Sequence, residues 1–169
     1  CLSACLAGEI PKAIMRNDLE VAKETALWYK GVFGEDYYLE MQNHGILEQE
    51  KVNIGLRNLS RELGIKTVAT NDVHYIEKTD SETQKVLLCI QTGSTVSEDN
   101  ALEFKTNEFY LKTAEEMEKA FPKDKEALKT TEEIAEKCNV EFEFGKIKLP
   151  KFDIGDRDHF EYFKEKCEA

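Results

Sequence analysis

No stretch of this sequence approaches the roughly 18 consecutive apolar residues that a membrane-spanning helix requires, and no signal peptide is visible at its start. A membrane partner is therefore not expected. The sequence also lacks any C-x-x-C pair. Its five cysteines, Cys1, Cys5, Cys89, Cys138 and Cys167, are odd in number and widely spread. That pattern argues against a disulfide framework and suits a reducing cytoplasm. There is no P-loop, no G-x-G-x-x-G and no nucleophile elbow, so nucleotide binding through those devices is not indicated. Internal repeats and low-complexity segments are missing as well.

Positive charge is in short supply. The net charge is −11, which argues against a duplex-gripping surface, because phosphate binding needs clustered Lys and Arg. The excess is uneven, with a net of −3 over residues 1–78 and −8 over residues 79–169. Any DNA contact of a larger assembly would lie mainly elsewhere.

What is present is a globular balance, 41% hydrophobic and 34% charged residues over 169 positions. That is enough for one compact domain or slightly more. The chain starts at Cys1 in what reads as a strand end, and it stops at Ala169 in a helical pattern carrying Phe160, Phe163 and Cys167. Both ends read as cut from a longer protein. Loss of neighbouring strands would expose an edge and apolar surface.

The first ninety residues alternate short apolar runs with helical patterns, the signature of parallel β/α units. Pro11 suits a first helical turn, and Asp18 can cap a helix bearing Leu19, Ala22, Ala26, Tyr29 and Phe33 before Gly34. Residues 37–42 read as a strand that runs into Asn43-His44-Gly45. A second helix carries Val52, Leu56, Leu59 and Leu63 and stops at Gly64, and the β-branched run 66–70 is the next strand. Thr79 and Glu82 form a capping box for a helix with Val86, Leu87 and Ile90 inside and Gly93 at its end.

Residues 94–107 read as a linker or surface loop. After them Thr113 and Glu116 make another capping box before Met117, Ala120 and Phe121. A helix over about 124–138 is expected to bury Ala127, Leu128, Thr131, Ile134 and Ala135. Val140, Phe142 and Phe144 alternate with Glu141 and Glu143 as a half-exposed strand should, followed by an extended run from Lys146 to Phe152. This change of character suggests a second structural unit from about residue 105.

In parallel β/α folds the chemistry collects where strands end. Three such points occur here, at Ser3-Ala4-Cys5, at Asn43-His44-Gly45 and at Asn71-Asp72-Val73-His74. In an extended segment Asp72 and His74 would leave on one face and approach one cation, a ligand set suited to Zn²⁺, Mn²⁺ or Fe²⁺. The plain alternative makes Asp72 a turn cap and His74 merely polar. Cys5 is either an inert small side chain or a thiolate ligand. His44 either contacts a ligand or bonds a neighbouring loop, the second reading being preferred. Cys89 and Cys138 are expected to pack on apolar helix faces. Trp28 with Tyr29 reads as helix packing, and His159 and Cys167 belong to no recognisable site.

Several runs carry a resemblance. They are Leu2 to Ile10, Ala26 to Tyr29, Tyr38 to Gly45, Val68 to Tyr75, Leu87 to Gly93, Glu108 to Lys112, Ile134 to Val140 and Leu149 to Phe152. Across about 150 positions, in order, the chain resembles the bacterial DNA polymerase III alpha-subunit family. The resemblance implies that residues 1–100 are the C-terminal part of a polymerase-and-histidinol-phosphatase domain, and that 105–169 lead into a polymerase palm. The implied fold class is α/β, an incomplete distorted (β/α) barrel followed by a small α+β segment.

Within that family Cys5, Asp72 and His74 match metal ligands of a Zn or Mn site, while other ligands, an H-x-H among them, would precede Cys1. Ala4 stands where a Gly is more usual. The D-x-H is intact, as in metal-binding members. The implied parent is a DNA-directed DNA polymerase that uses Mg²⁺ at carboxylates lying beyond this chain. Its partners would be DNA, deoxynucleotides, the sliding clamp and other replisome subunits, in the cytoplasm. This domain would serve 3′–5′ exonuclease proofreading or structural support, and the chain alone would not polymerise. Competing readings are a stand-alone metal-dependent phosphatase of the same superfamily and a non-enzymatic docking domain.

Overall fold

In the computed structural model the described residues are 1–97, 104–150 and 152–168. Helix α1 (Glu9–Met15) and helix α2 (Leu19–Phe33) lead through a 3-10 turn at Gly34–Asp36 to strand β1 (Leu39–Gln42). Helix α3 (Leu47–Leu63) and strand β2 (Thr67–Thr70) follow. A 3-10 turn at Lys78–Asp80 then opens helix α4 (Ser81–Thr92). Helices α5 (Ala114–Ala120), α6 (Lys125–Lys137) and α7 (His159–Glu168) complete the order. The chain divides into two compact units, Cys1–Cys138 and Asn139–Ala169.

In the first unit β1 and β2 are parallel, with Leu39 opposite Thr67 and Gln42 opposite Thr70. Leu2 forms a parallel bridge to Tyr38, and Ser3 N–H donates to Tyr38 O at 3.1 Å. The start of the chain therefore runs along the other edge of β1. The β/α alternation is as the sequence pattern anticipates. Among the described residues the sheet has two strands and this bridge.

Alternation along the strands sorts the two faces. Leu39, Met41 and Ala69 join one cluster with Ile10, Ala13 and Ile14 of α1, Ala22 and Ala26 of α2, and Val52, Leu56 and Leu59 of α3. Each of the larger side chains contributes about 1.5–3 kcal/mol by leaving water. Helices α1 and α3 approach closely because Gly55 has no side chain, and a Cβ there would lie 2.7 Å from Ile14 Cγ2.

Local signals explain the helix ends. Asp18 Oδ1 accepts from Val21 N–H at 3.3 Å, and Gly64 and Gly93 take left-handed conformations behind α3 and α4. The Thr113–Glu116 capping box forms as expected, with Thr113 N–H donating to Glu116 Oε2 at 2.8 Å and Glu116 N–H to Thr113 Oγ1 at 3.3 Å. The box expected at Thr79 and Glu82 is displaced. Glu77 N–H instead donates to Asp80 Oδ2, because the 3-10 turn starts the helical path earlier.

Helices α5 and α6 build on the first unit. Phe121 and Ala127 belong to the same core as the strands, and α6 packs against β2. The division between compact units thus falls after Cys138, whereas the change in sequence pattern falls near residue 105. The inward face of α6 holds Ala127 and Thr130, and Thr131 and Ala135 are exposed, a rotation of about one residue from the expected face. In α4 only Cys89 is buried, and Val86, Leu87 and Ile90 point outward. Trp28 is likewise exposed, its ring edge against Tyr29 at 4.9 Å, and so does not pack in the core. Cys138 is exposed as well, at the end of α6.

The second unit carries α7, whose start is held by Asp158 Oδ1, which accepts from Phe160 N–H at 2.9 Å and Glu161 N–H at 3.0 Å. Residues 140–144 form no strand, and Val140, Phe142 and Phe144 are all exposed. Alternation alone does not make a strand without a neighbouring strand to pair with. Among the described residues, no helix is long and apolar enough to cross a membrane.

Candidate functional site at the strand ends

Because the Leu2 segment, β1 and β2 are parallel neighbours, their C-terminal ends open on one edge. All three expected loops therefore gather there. The segments bearing Cys5 and Asp72 flank β1 on opposite sides, about 9–10 Å apart at two strand spacings.

The loop after β2 is heavily anchored. Asn71 Nδ2 donates to Tyr110 O at 2.6 Å, and Lys112 Nζ donates to Asn71 Oδ1 at 3.3 Å. His74 N–H donates to Phe109 O at 2.8 Å, and Tyr75 bridges Tyr110 in parallel. The anchoring Lys112 side chain is only 4% exposed. Burial lowers its pKa, and Glu108 opposes that shift.

Asp72 does not lie in an extended segment as the D-x-H spacing suggests. Its φ is +51°, in the left-handed region that Asp tolerates better than most residues. The turn nonetheless brings the pair together, with His74 Nδ1 3.8 Å from Asp72 Oδ1. The same Nδ1 lies 2.8 Å from Asp72 O. As a donor to that carbonyl it carries the proton and leaves Nε2 with its lone pair. This is how ligating imidazoles are commonly oriented. Both side chains are about one-third exposed, so an ion could reach them from solvent.

Cys5 is half-buried in a tight turn in which Gly8 N–H donates to Cys5 O at 2.8 Å. Gly8 is required there, since a Cβ would sit 2.5 Å from Ser3 O. The preceding Ala4 has φ +65°, a conformation that favours glycine. Among the described residues no three His, Cys, Asp or Glu side chains are grouped to hold a metal ion. Asp72 and His74 thus supply a pair of suitable donors, and Cys5 stands apart from them.

His44 is 1% exposed and fully bonded. Its Nε2 lies 2.7 Å from Asn71 O, and its Nδ1 lies 2.8 Å from Gln49 Nε2. Gln49 Oε1 in turn accepts from His44 N–H at 2.8 Å, which fixes the amide orientation. Nδ1 must therefore accept, so the ring is neutral with its proton on Nε2. Burial pushes the His44 pKa down. Of the two readings open for this residue, bonding to a neighbouring loop is the one its contacts display.

Some polar residues of this edge are not singled out by motif. Glu40, Gln42 and Thr70 face away from the helical layer. Thr70 Oγ1 donates to Glu40 Oε1 at 2.6 Å, and Gln42 Nε2 donates to the same oxygen at 3.1 Å. The signal for Glu40 and Gln42 is the polar half of the alternation in Leu39–Gln42, whereas Thr67–Thr70 does not alternate and gives none for Thr70. A groove of about 1070 Å³ lies between β2, α5 and α6, lined in part by Asn71, Lys112, Met117 and Phe121 but by neither Asp72 nor His74.

Fold and site together define a parallel β/α unit with its polar and ionisable groups concentrated at strand ends. No family model matches the chain. It is 49% identical over 139 residues to the DNA polymerase III subunit alpha of Borreliella burgdorferi, covering 82% of this chain and 12% of that protein. With the same subunit of Treponema pallidum it shares 44% identity over 155 residues, 91% of this chain and 13% of that one. With that of Thermus aquaticus it shares 37% over 171 aligned positions, 97% of this chain and 14% of that one. Over most of its length the chain is thus similar to DNA polymerase III alpha subunits. It spans about an eighth of the length of these relatives.

Proposed function

We propose that this chain works as part of a DNA polymerase III alpha subunit in template-directed DNA synthesis, and that it contributes a share of a divalent-metal site to that subunit. The observation that carries the first half is the identity of 37–49% to alpha subunits across most of the chain. In this reading residues 1–100 form the C-terminal part of the polymerase-and-histidinol-phosphatase domain, and 105–169 lead toward the palm. DNA, deoxynucleotides, the sliding clamp and other replisome subunits are then partners of the whole subunit. The Mg²⁺ of polymerisation is held outside these residues.

The metal reading is supported by the strand-end placement of Asp72 and His74 and by the Nδ1–H···O=C bond that presents His74 Nε2. A carboxylate and an imidazole suit Zn²⁺ or Mn²⁺, with Cys5 contributing elsewhere in the same multinuclear centre and the remaining donors coming from the longer polypeptide. The site would serve 3′–5′ removal of mismatched primer ends, where a metal ion generates the attacking hydroxide. Metal content and hydrolysis of a mismatched primer end are to be measured on the full-length subunit. Asp72→Ala and His74→Ala should each lose bound metal and hydrolysis while retaining polymerisation. Equal metal content in wild type and variants would sink the metal reading. Unchanged hydrolysis would sink the exonuclease reading alone.

A further inference from the structure

His44 makes contacts on both sides of the Asp72–His74 loop. Through Nε2 it holds the carbonyl of Asn71, the residue immediately before Asp72, at 2.7 Å. Its ring stacks on Phe109 with centroids 4.0 Å apart and planes 12° from parallel. Phe109 in turn presents its ring to the edge of His74 at 5.6 Å, and its carbonyl accepts the His74 N–H. One buried imidazole therefore braces the backbone on the Asp72 side and the aromatic wall on the His74 side.

The brace is itself set by Gln49. Both ends of the Gln49 amide are committed to His44, one to its backbone N–H and one to Nδ1. The ring cannot turn over without breaking two buried hydrogen bonds. At the far end, Asp72 adopts φ +51°. A left-handed non-glycine residue costs energy and persists only where its surroundings hold it. The Asn71 carbonyl, fixed by His44, is the nearest such hold on its N-terminal side.

We propose that His44 is a positioning residue, which keeps Asp72 and His74 in the paired geometry needed to bind a divalent cation without touching that cation. This rests on the reading of Asp72 and His74 as metal ligands. Outer contacts of this kind commonly change metal affinity by about 10- to 100-fold.

The test uses Co²⁺ as a spectroscopic probe on the full-length subunit. His44→Phe keeps a stacking ring and removes the donor, and His44→Gln restores an N–H that can reach Asn71 O. Asp72→Asn serves as the control for the ligand itself. The expected result is Co²⁺ binding weakened about tenfold or more in His44→Phe with an altered visible absorption band, and substantial recovery of both in His44→Gln. A merely structural role would lower the melting temperature and leave affinity and spectrum of the folded protein unchanged. That outcome overturns the proposal while leaving the metal reading intact. Failure of wild type to bind Co²⁺, Zn²⁺ or Mn²⁺ overturns the metal reading, and this proposal with it. Should His44→Phe fail to fold, Gln49→Met removes the Nδ1 partner while leaving the ring, and the same two readouts decide.

Discussion

Arg57 grips Asp124 through two parallel hydrogen bonds, Nε to Oδ1 and Nη2 to Oδ2, each 2.7 Å long. The pair ties the middle of α3 to the start of α6, and so joins helices on either side of the change in sequence pattern near residue 105. Asp124 is only 9% exposed and Arg57 29%. Asp124 raises the Arg57 pKa, against the opposing effect of burial.

Breaking this pair should therefore cost more than losing an ordinary surface bridge. Arg57→Ala, which leaves a nearly buried carboxylate unpaired, should lower stability by roughly 2–4 kcal/mol. Asp124→Ala should cost about 2 kcal/mol, since the guanidinium left behind retains some water. Urea unfolding of both single variants and of the double variant checks this. The double variant should lose less than the two singles combined. Additivity would mean that the two side chains act independently.

Ala4 offers a test in the opposite direction. Its φ of +65° puts Cβ close to the backbone, at a cost of about 1–2 kcal/mol relative to a relaxed conformation. Glycine removes that cost and loses part of the gain to its freer unfolded chain. Ala4→Gly should thus raise stability by about 0.5–1 kcal/mol, read as an upward shift of the thermal midpoint. A fall in stability would show that the turn before Cys5 is not left-handed in solution.

Much of the first unit was legible because its signals are local. The Asp18 cap, the Gly64 and Gly93 stops and the Thr113–Glu116 box each depend on residues a few positions apart, and each sits where the pattern put it. Apart from the displaced Thr79–Glu82 box, what failed depended on neighbours. Val86, Leu87 and Ile90 form an apolar helical face, yet among the described residues that face is exposed. Val140, Phe142 and Phe144 alternate properly and lack a strand to pair with among the described residues. At the site, strand-end placement of Cys5, His44, Asp72 and His74 followed from period and turn signals. The left-handed Asp72 and the buried Lys112 brace did not, because both depend on the segment 108–112 returning to the loop after β2. The role of His44 also needed three dimensions, since its partners Asn71 and Phe109 are 27 and 65 positions away.

Tyr37 is buried at 2% exposure, and its hydroxyl has no hydrogen-bond partner among the described residues. Its ring stacks on Tyr29 with centroids 5.4 Å apart, a contact that phenylalanine would preserve. Tyr37→Phe should therefore stabilise the chain by about 1 kcal/mol, the burial cost of an unsatisfied polar group being typically 1–3 kcal/mol. Burial also raises the Tyr37 pKa well above its ordinary 10.0. The unfolded chain then releases this proton first, so wild-type stability should decline as pH rises beyond about 10. Tyr37→Phe should decline less over the same range, and unfolding midpoints at pH 8 and pH 10.5 measure the difference.

His44 makes the complementary prediction on the acid side. Burial is the main cause of its lowered pKa, with Lys112 acting the same way and the Asn71 carbonyl, Asp72 and Gln49 opposing. Between that depressed value and the ordinary 6.5, the unfolded chain holds a proton that the folded chain does not. Stability contributed by the neutral ring is accordingly complete above pH 6.5 and is lost as pH falls toward the folded pKa. Protonation would also put a donor at Nδ1 against the Gln49 amide N–H, which lies 2.8 Å away and cannot reverse without releasing His44 N–H. The carboxylates with lowered pKa values, such as Glu108 and Glu116, lose their contributions in a separate window, below about 4.5. Urea midpoints compared at pH 7.5 and pH 5.5 therefore isolate the histidine. Wild type should lose stability over this interval, and His44→Gln, less stable at pH 7.5, should lose distinctly less. Parallel losses in the two proteins would mean that His44 is not held neutral in the folded chain.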